Sequence, residues 1–156
     1  MPAPTDIPSS SGGSVENRVV IARIAEKTIT IDECSDAVED ATSGAVVTFA
    51  GVVRDHDEGR GVTALSYTAH PTAAEAIRAS ALRIAAAHPE TRVAIVHRTG
   101  DLVVGDLALA CAVAAAHRGD AFAACAELVD DVKKTVPIWK EQAFDDGTTE
   151  WVASLG

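Results

Sequence analysis

AHRGDAFAACAELVDDVKKTVPIWKEQ, residues 116–142, decides how this chain folds. Just before it, LALACAVAAA (107–116) is apolar without a break and too short to span a membrane, so it reads as a buried strand. From about Gly119 to Val136 the period changes to that of a helix, with Phe122, Cys125, Val129, Val132 and Val136 on one stripe. Pro137 cannot continue that helix. IWKEQAF (138–144), a DDG turn and TTEWVAS (148–154) then form a terminal hairpin, in which Trp139 and Trp151 are packing partners. A buried strand, an amphipathic helix and a hairpin in succession predict a sheet covered by helices.

Upstream, the same alternation repeats. RVVIARIAEKTIT (18–30) reads as a strand pair or one long bent strand, and IDECSDAVED (31–40) as a short helix with Thr30 or Asp32 at its N-cap. GAVVTFAGVVR (44–54) is apolar enough for a central strand; the DHDEGRG loop (55–61) joins it to VTALSYTAH (62–70) as a hairpin. Pro71 opens a helix whose Ala74, Ile77, Ala81, Ile84 and His88 share a face. RVAIVHRTG (92–100) is a strand and DLVVGD (101–106) a turn-containing link. The order β-α-β-β-α-β-β-α-β-β is α+β with a mixed sheet, flanking helices and a C-terminal hairpin. Residues 1–17, rich in Pro, Ser and Gly, are expected to be a disordered tail, and 18–156 a single domain.

Charge narrows the function. A net charge of −10 excludes the broad basic face that non-specific binding to nucleic acid or anionic membrane needs. No run is long and apolar enough for a membrane span, and no secretory leader pattern is present, so the cytoplasm is expected. Cys34, Cys111 and Cys125 lack metal-like spacing and sit among apolar residues, which predicts buried free thiols and no metal site. The lysines are unevenly placed. Of four in the chain, Lys133, Lys134 and Lys140 fall within eight residues, a local anion site in an acidic protein.

Each candidate has a bland counterpart. His117 and Arg118 stand where a strand meets a helix N-terminus, a place that favours an anion, but they also fit a solvent-facing strand end. Arg54 can turn into a pocket or pair with Asp55, Asp57 or Glu58. Lys133 and Lys134 both complement a helix C-terminus; only Lys133 borders the buried stripe, where partial desolvation would lower its pKa. Lys140 follows after the chain reverses at Pro137. GxxxxGK[ST], GxSxG and HExxH are absent.

The chain resembles the large, catalytic subunits of molybdopterin synthase in GAVVTFAGVVRDH (44–56), IVHRTGDL (95–102), AAHRGDAF (115–122) and VKKTVPIWKEQ (132–142), followed by Trp151. The resemblance covers about residues 44–152. It implies an α/β-hammerhead-type fold and a sulfurtransferase of molybdenum cofactor biosynthesis that converts cyclic pyranopterin monophosphate to molybdopterin by building its dithiolene. The sulfur would come from a small ubiquitin-like sulfur-carrier subunit with a C-terminal Gly-Gly thiocarboxylate. Two large subunits would form a homodimer within a heterotetramer, with no permanently bound cofactor. By position, Lys133 and Lys140 take the catalytic roles, and Arg54, His117, Arg118, Glu141 and Gln142 the substrate-binding ones. Val52, Glu141 and Gln142 depart from residues common in the family. A non-catalytic binding module for a ubiquitin-like partner is the alternative; a phosphate-ligand hydrolase using His117 lacks a nucleophile–base pair.

Overall fold

The structure is a computed structural model and describes residues 13–153. The helices are α1 (Val15–Arg18), α2 (Ile31–Val38), α3 (Ala73–Ala87) and α4 (Arg118–Thr135). The strands are β1 (Val19–Ala25), β2 (Ala45–Val52), β3 (His56–Asp57), β4 (Arg60–Ala69), β5 (Arg92–Arg98), β6 (Gly100–Val103), β7 (Leu107–Ala115), β8 (Ile138–Phe144) and β9 (Thr149–Ala153). They form a mixed α+β fold of two sheets.

The first sheet has the order β1-β5-β7-β2, with β1 parallel to β5 and the other pairs antiparallel. β5 and β7 are buried on both faces, which is why they read as unbroken apolar runs. One face carries Val93, Ile95, Leu109, Cys111 and Val113 against Ile77, Ala81 and Ile84 of α3 and Leu128, Val129 and Val132 of α4. The other carries Ala94, Val96, Ala110, Ala112 and Ala114, small residues that let Cys34 and Val38 of α2 come close. The Cys34 Sγ lies 3.7 Å from the Ala110 carbonyl oxygen. Thr30 caps α2 by accepting from the Glu33 amide at 3.1 Å.

The second sheet runs β3-β4-β8-β9, with β6 also paired to β4. Val53, Val62, Leu65, Leu102, Ala108 and Phe144 form a smaller core between the two sheets. The terminal hairpin is present, with Glu141 opposite Trp151 and Trp139 opposite Ala153. That register puts the tryptophans diagonally on one face, but Trp139 meets His70 edge-on at 6.4 Å and both residues are exposed, Trp139 at 40% and Trp151 at 60%.

Several expectations change. β2 is an edge strand, not a central one: its residues alternate between partial burial and exposure, and Val46 and Val52 face outward. Nor does it pair with β4. Glu58 and Gly59 take positive φ (49° and 78°), so the loop closes its own small hairpin, β3–β4, and carries β4 into the other sheet. Gly44 stands just before β2, where a Cβ would meet the Ala116 carbonyl oxygen at 2.5 Å. Within residues 18–30, Arg18 closes α1, Val19–Ala25 make one strand and a loop follows. The expected link at 101–106 begins as part of β6. Phe122 is 60% exposed, and Ala121, Ala124 and Leu128 join the buried stripe instead. On α3 the buried alanines are Ala73, Ala81 and Ala85, while Ala74 is exposed.

Of the expected disordered tail, residues 1–12 lie outside the described residues, whereas Val15–Arg18 is a helical turn capped by Ser14. Arg18 is buried and donates from Nη1 to the Thr91 carbonyl at 2.9 Å, which ties this turn to the start of β5. A polar start to a chain still orders where one side chain finds a buried acceptor.

Candidate active site

Where the two sheets diverge, a cleft of about 430 Å³ opens between the end of β2, the strands β4 and β8, and the last turn of α4. Lys133 and Lys140 both line it, as do Arg54, Gln142, His97 and Tyr67. Each arrives for a local reason. Lys133 follows Val132 on the α4 stripe and so stands at the edge of the core. Pro137 ends the helix, and the reversal sets β8 beside β4, with Lys140 opposite Tyr67. Strand alternation then puts Lys140 and Gln142 on one face and Glu141 on the other. Arg54 follows β2 beyond a register shift at Gly51/Val52.

Asp57 links these groups. It accepts from Gln142 Nε2 at 2.8 Å and from Arg54 Nη2 at 3.2 Å. The Gln142 bond first, and the charges of Lys140 and Arg54 next, outweigh burial and hold its carboxyl below the usual carboxylate range. Burial lowers the pKa of Lys140; Lys133 and Arg54 add to this and Asp57 opposes it. An acidic chain thus carries a concentrated positive site with one fixed counter-charge.

His97, at the inner end of the cleft, is buried and meets the Tyr67 ring edge-on at 5.0 Å. Its pKa is pushed down to about 4, chiefly by burial and also by the charge of Lys133, against the bond to the Arg98 carbonyl. At neutral pH it is uncharged. The cysteines are not in the cleft. All three are buried and free, Cys111 and Cys125 lie 3.9 Å apart at sulfur, and burial lifts Cys34 to about 11.

The expected site residues therefore divide. Lys133, Lys140, Arg54 and Gln142 come together; Glu141 faces away, opposite Ser66 and Trp151. His117 and Arg118 are exposed at the start of α4 and do not line the cleft. Lys133 lies fifteen positions along α4 from Arg118, roughly 22 Å along the axis. No side chain spans that distance. Arg54 satisfies both readings left open for it, since it lines the cleft and pairs with Asp57. Asp57, His97 and Tyr67 were not singled out from the sequence. Asp57 sits three residues after Arg54, a readable spacing, but its bond to Gln142 crosses 85 residues.

Among the described residues there is no group of three or more His, Cys, Asp or Glu placed to hold a metal, and no helix long and apolar enough to cross a membrane.

The family model described as MoaE protein matches residues 24–135. The chain belongs to the MoaE protein family. Within the family it is similar to the molybdopterin synthase catalytic subunit of Oryza sativa subsp. indica, at 44% identity over 113 residues, 72% of this chain and 58% of that one. It therefore spans little more than half the length of the rice relative. The molybdopterin synthase catalytic subunit 1 of Mycobacterium tuberculosis is 37% identical over 131 residues, 83% of this chain and 88% of that one. Among solved structures, molybdopterin synthase from Staphylococcus aureus superposes with a TM-score of 0.79 at 32% identity, over 84% of this chain and 96% of that one. The family match thus runs from the end of β1 through α4, and the superposition supports the mixed α+β fold.

Proposed function

We propose that this chain is the catalytic subunit of a molybdopterin synthase. It would move sulfur from the thiocarboxylated C-terminus of a small ubiquitin-like subunit to cyclic pyranopterin monophosphate, forming the dithiolene of molybdopterin. The observation that carries this reading is the convergence of Lys133, Lys140 and Arg54 on one cleft of an acidic protein. Substrate phosphate and incoming thiocarboxylate are both anions, and a partly desolvated site strengthens their attraction to these cations. The planar guanidinium of Arg54 keeps further N–H donors for phosphate beyond the one given to Asp57. Lys140, with its lowered pKa, can both hold an anion and release a proton as bonds to the pterin change. No permanently bound cofactor is needed, because the sulfur arrives on the partner, and the buried cysteines stay out of the chemistry.

His117 and Arg118 fit this function through a second copy of the chain. They are too far from their own cleft, so a homodimer would have to bring them to the neighbour's. The outward Val46, Val52 and Phe122 give such a partner apolar surface to cover. The assembly we infer is a pair of these chains with one small subunit at each end, acting in the cytoplasm, where three free thiols are stable.

Turnover of cyclic pyranopterin monophosphate by the purified protein, with and without thiocarboxylated small subunit, tests the proposal. Molybdopterin should form only when both proteins are present. Tight partner binding without any product would replace this reading with that of a non-catalytic binding module.

A further inference from the structure

Of the polar side chains that line the cleft, Arg54, Lys133 and Lys140 can only donate hydrogen bonds. A pterin bound there brings N–H donors of its own, on the ring and on the exocyclic amine, and these need acceptors. His97 supplies one. Its Nδ1 lies 2.8 Å from the Arg98 carbonyl oxygen, and a carbonyl only accepts, so Nδ1 carries the proton. In the neutral ring Nε2 then holds a free lone pair. Nε2 has no hydrogen-bond partner among the described residues, yet the side-chain polar atom sealed without one is Arg98 Nε. The 6% of His97 that stays accessible therefore opens to the cleft it lines.

The ring is also held still. The Arg98 carbonyl blocks a flip, and the edge contact with Tyr67 at 76° fixes the ring plane. Burial keeps the imidazole uncharged, so it adds no fourth positive charge beside Lys133.

Resting on the functional reading above, we propose that His97 is a substrate-binding residue whose Nε2 accepts a hydrogen bond from an N–H of the bound pterin. It orients the heterocycle while the cations hold the phosphate and the incoming sulfur donor. It also selects for a ring system with a donor at that edge.

The test uses the full chain with two substitutions. His97→Asn keeps a donor for the Arg98 carbonyl but removes the group at Nε2, whereas His97→Gln restores an oxygen acceptor near that position. Binding is read by titrating the fluorescent, oxidised pterin cyclic phosphate, and KM and kcat by turnover with thiocarboxylated small subunit. His97→Asn should raise both the dissociation constant and KM about tenfold, the scale of one lost hydrogen bond, with kcat within about threefold of wild type. His97→Gln should recover most of the loss. Wild-type binding by the Asn variant, or equal losses in both variants, would overturn the assignment. If the Asn variant does not fold, the Gln variant decides alone: binding the pterin within about threefold of wild type sustains the acceptor role, and weaker binding ends it. Wild-type protein that binds no pterin would overturn the functional reading, and this residue's role with it.

Discussion

Gln142 donates from Nε2 to Asp57 Oδ2 at 2.8 Å, joining β8 of the second sheet to the short β3 that follows Arg54. The bond holds a carboxylate where it faces Lys140 and pairs with Arg54. Asp57 raises the pKa of Lys140 against the lowering by burial, Lys133 and Arg54. In Asp57→Asn that support is lost and the pKa of Lys140 falls further. If catalysis uses Lys140 as a cation, the alkaline limb of the kcat/KM profile should move to lower pH, with little change on the acid side. An unmoved alkaline limb would separate Asp57 from the reaction.

The lysines should divide sharply. Lys133→Ala and Lys140→Ala should each lower turnover by about a hundredfold or more, the usual scale for a group acting in acid–base or nucleophilic steps. Lys134, exposed on the last turn of α4, should be replaceable by Ala with near wild-type turnover and about 0.5 kcal/mol or less of stability change. Steady-state rates with excess small subunit, checked against circular dichroism, read this out. Near wild-type turnover by Lys133→Ala would sink its catalytic assignment.

Complementation tests whether His117 and Arg118 serve a neighbour. Co-expressed chains bearing Lys133→Ala and His117→Ala/Arg118→Ala form mixed dimers in which one of two sites is intact. With random pairing, about a quarter of wild-type turnover should return, although each variant alone is inactive. Continued inactivity of the mixture would place these two residues outside the shared site.

Arg18→Ala should lower stability by about 1–3 kcal/mol, because it leaves the buried Thr91 carbonyl without its donor. For a chain of this length that is roughly 2–4 °C of melting temperature per kcal/mol. Turnover per folded molecule should not change, since Arg18 does not line the cleft.

Much of this architecture could be read along the chain, since β5, β7, α4 and the terminal hairpin carry their periods within single segments. The first sheet's edge could not. β2 has the composition of a buried strand, but its outward face is left exposed within one chain, and local pattern does not tell what covers a surface. Phe122 misled for the same reason: it fits the helical stripe by spacing, yet Ala121 takes the inner position. At the site, Lys133 and Lys140 were legible as a break-flanked pair of cations. His97 looked like the end of an apolar strand. Its role depends on which ring nitrogen its own backbone engages, and only the fold reveals that.

The two faces of the first sheet would respond differently to random mutation. Facing α2, the alanines at 94, 110, 112 and 114 leave little volume, so enlarging any of them to valine or leucine must push a whole helix outward, at about 1–3 kcal/mol each. On the opposite face the side chains are already large, and exchanges among valine, isoleucine and leucine conserve volume more nearly. Sequence drift in this protein should therefore be one-sided, slow beneath α2 and faster beneath α3 and α4. A deep mutational scan scored by abundance alone would display that asymmetry as alternating intolerance along β7.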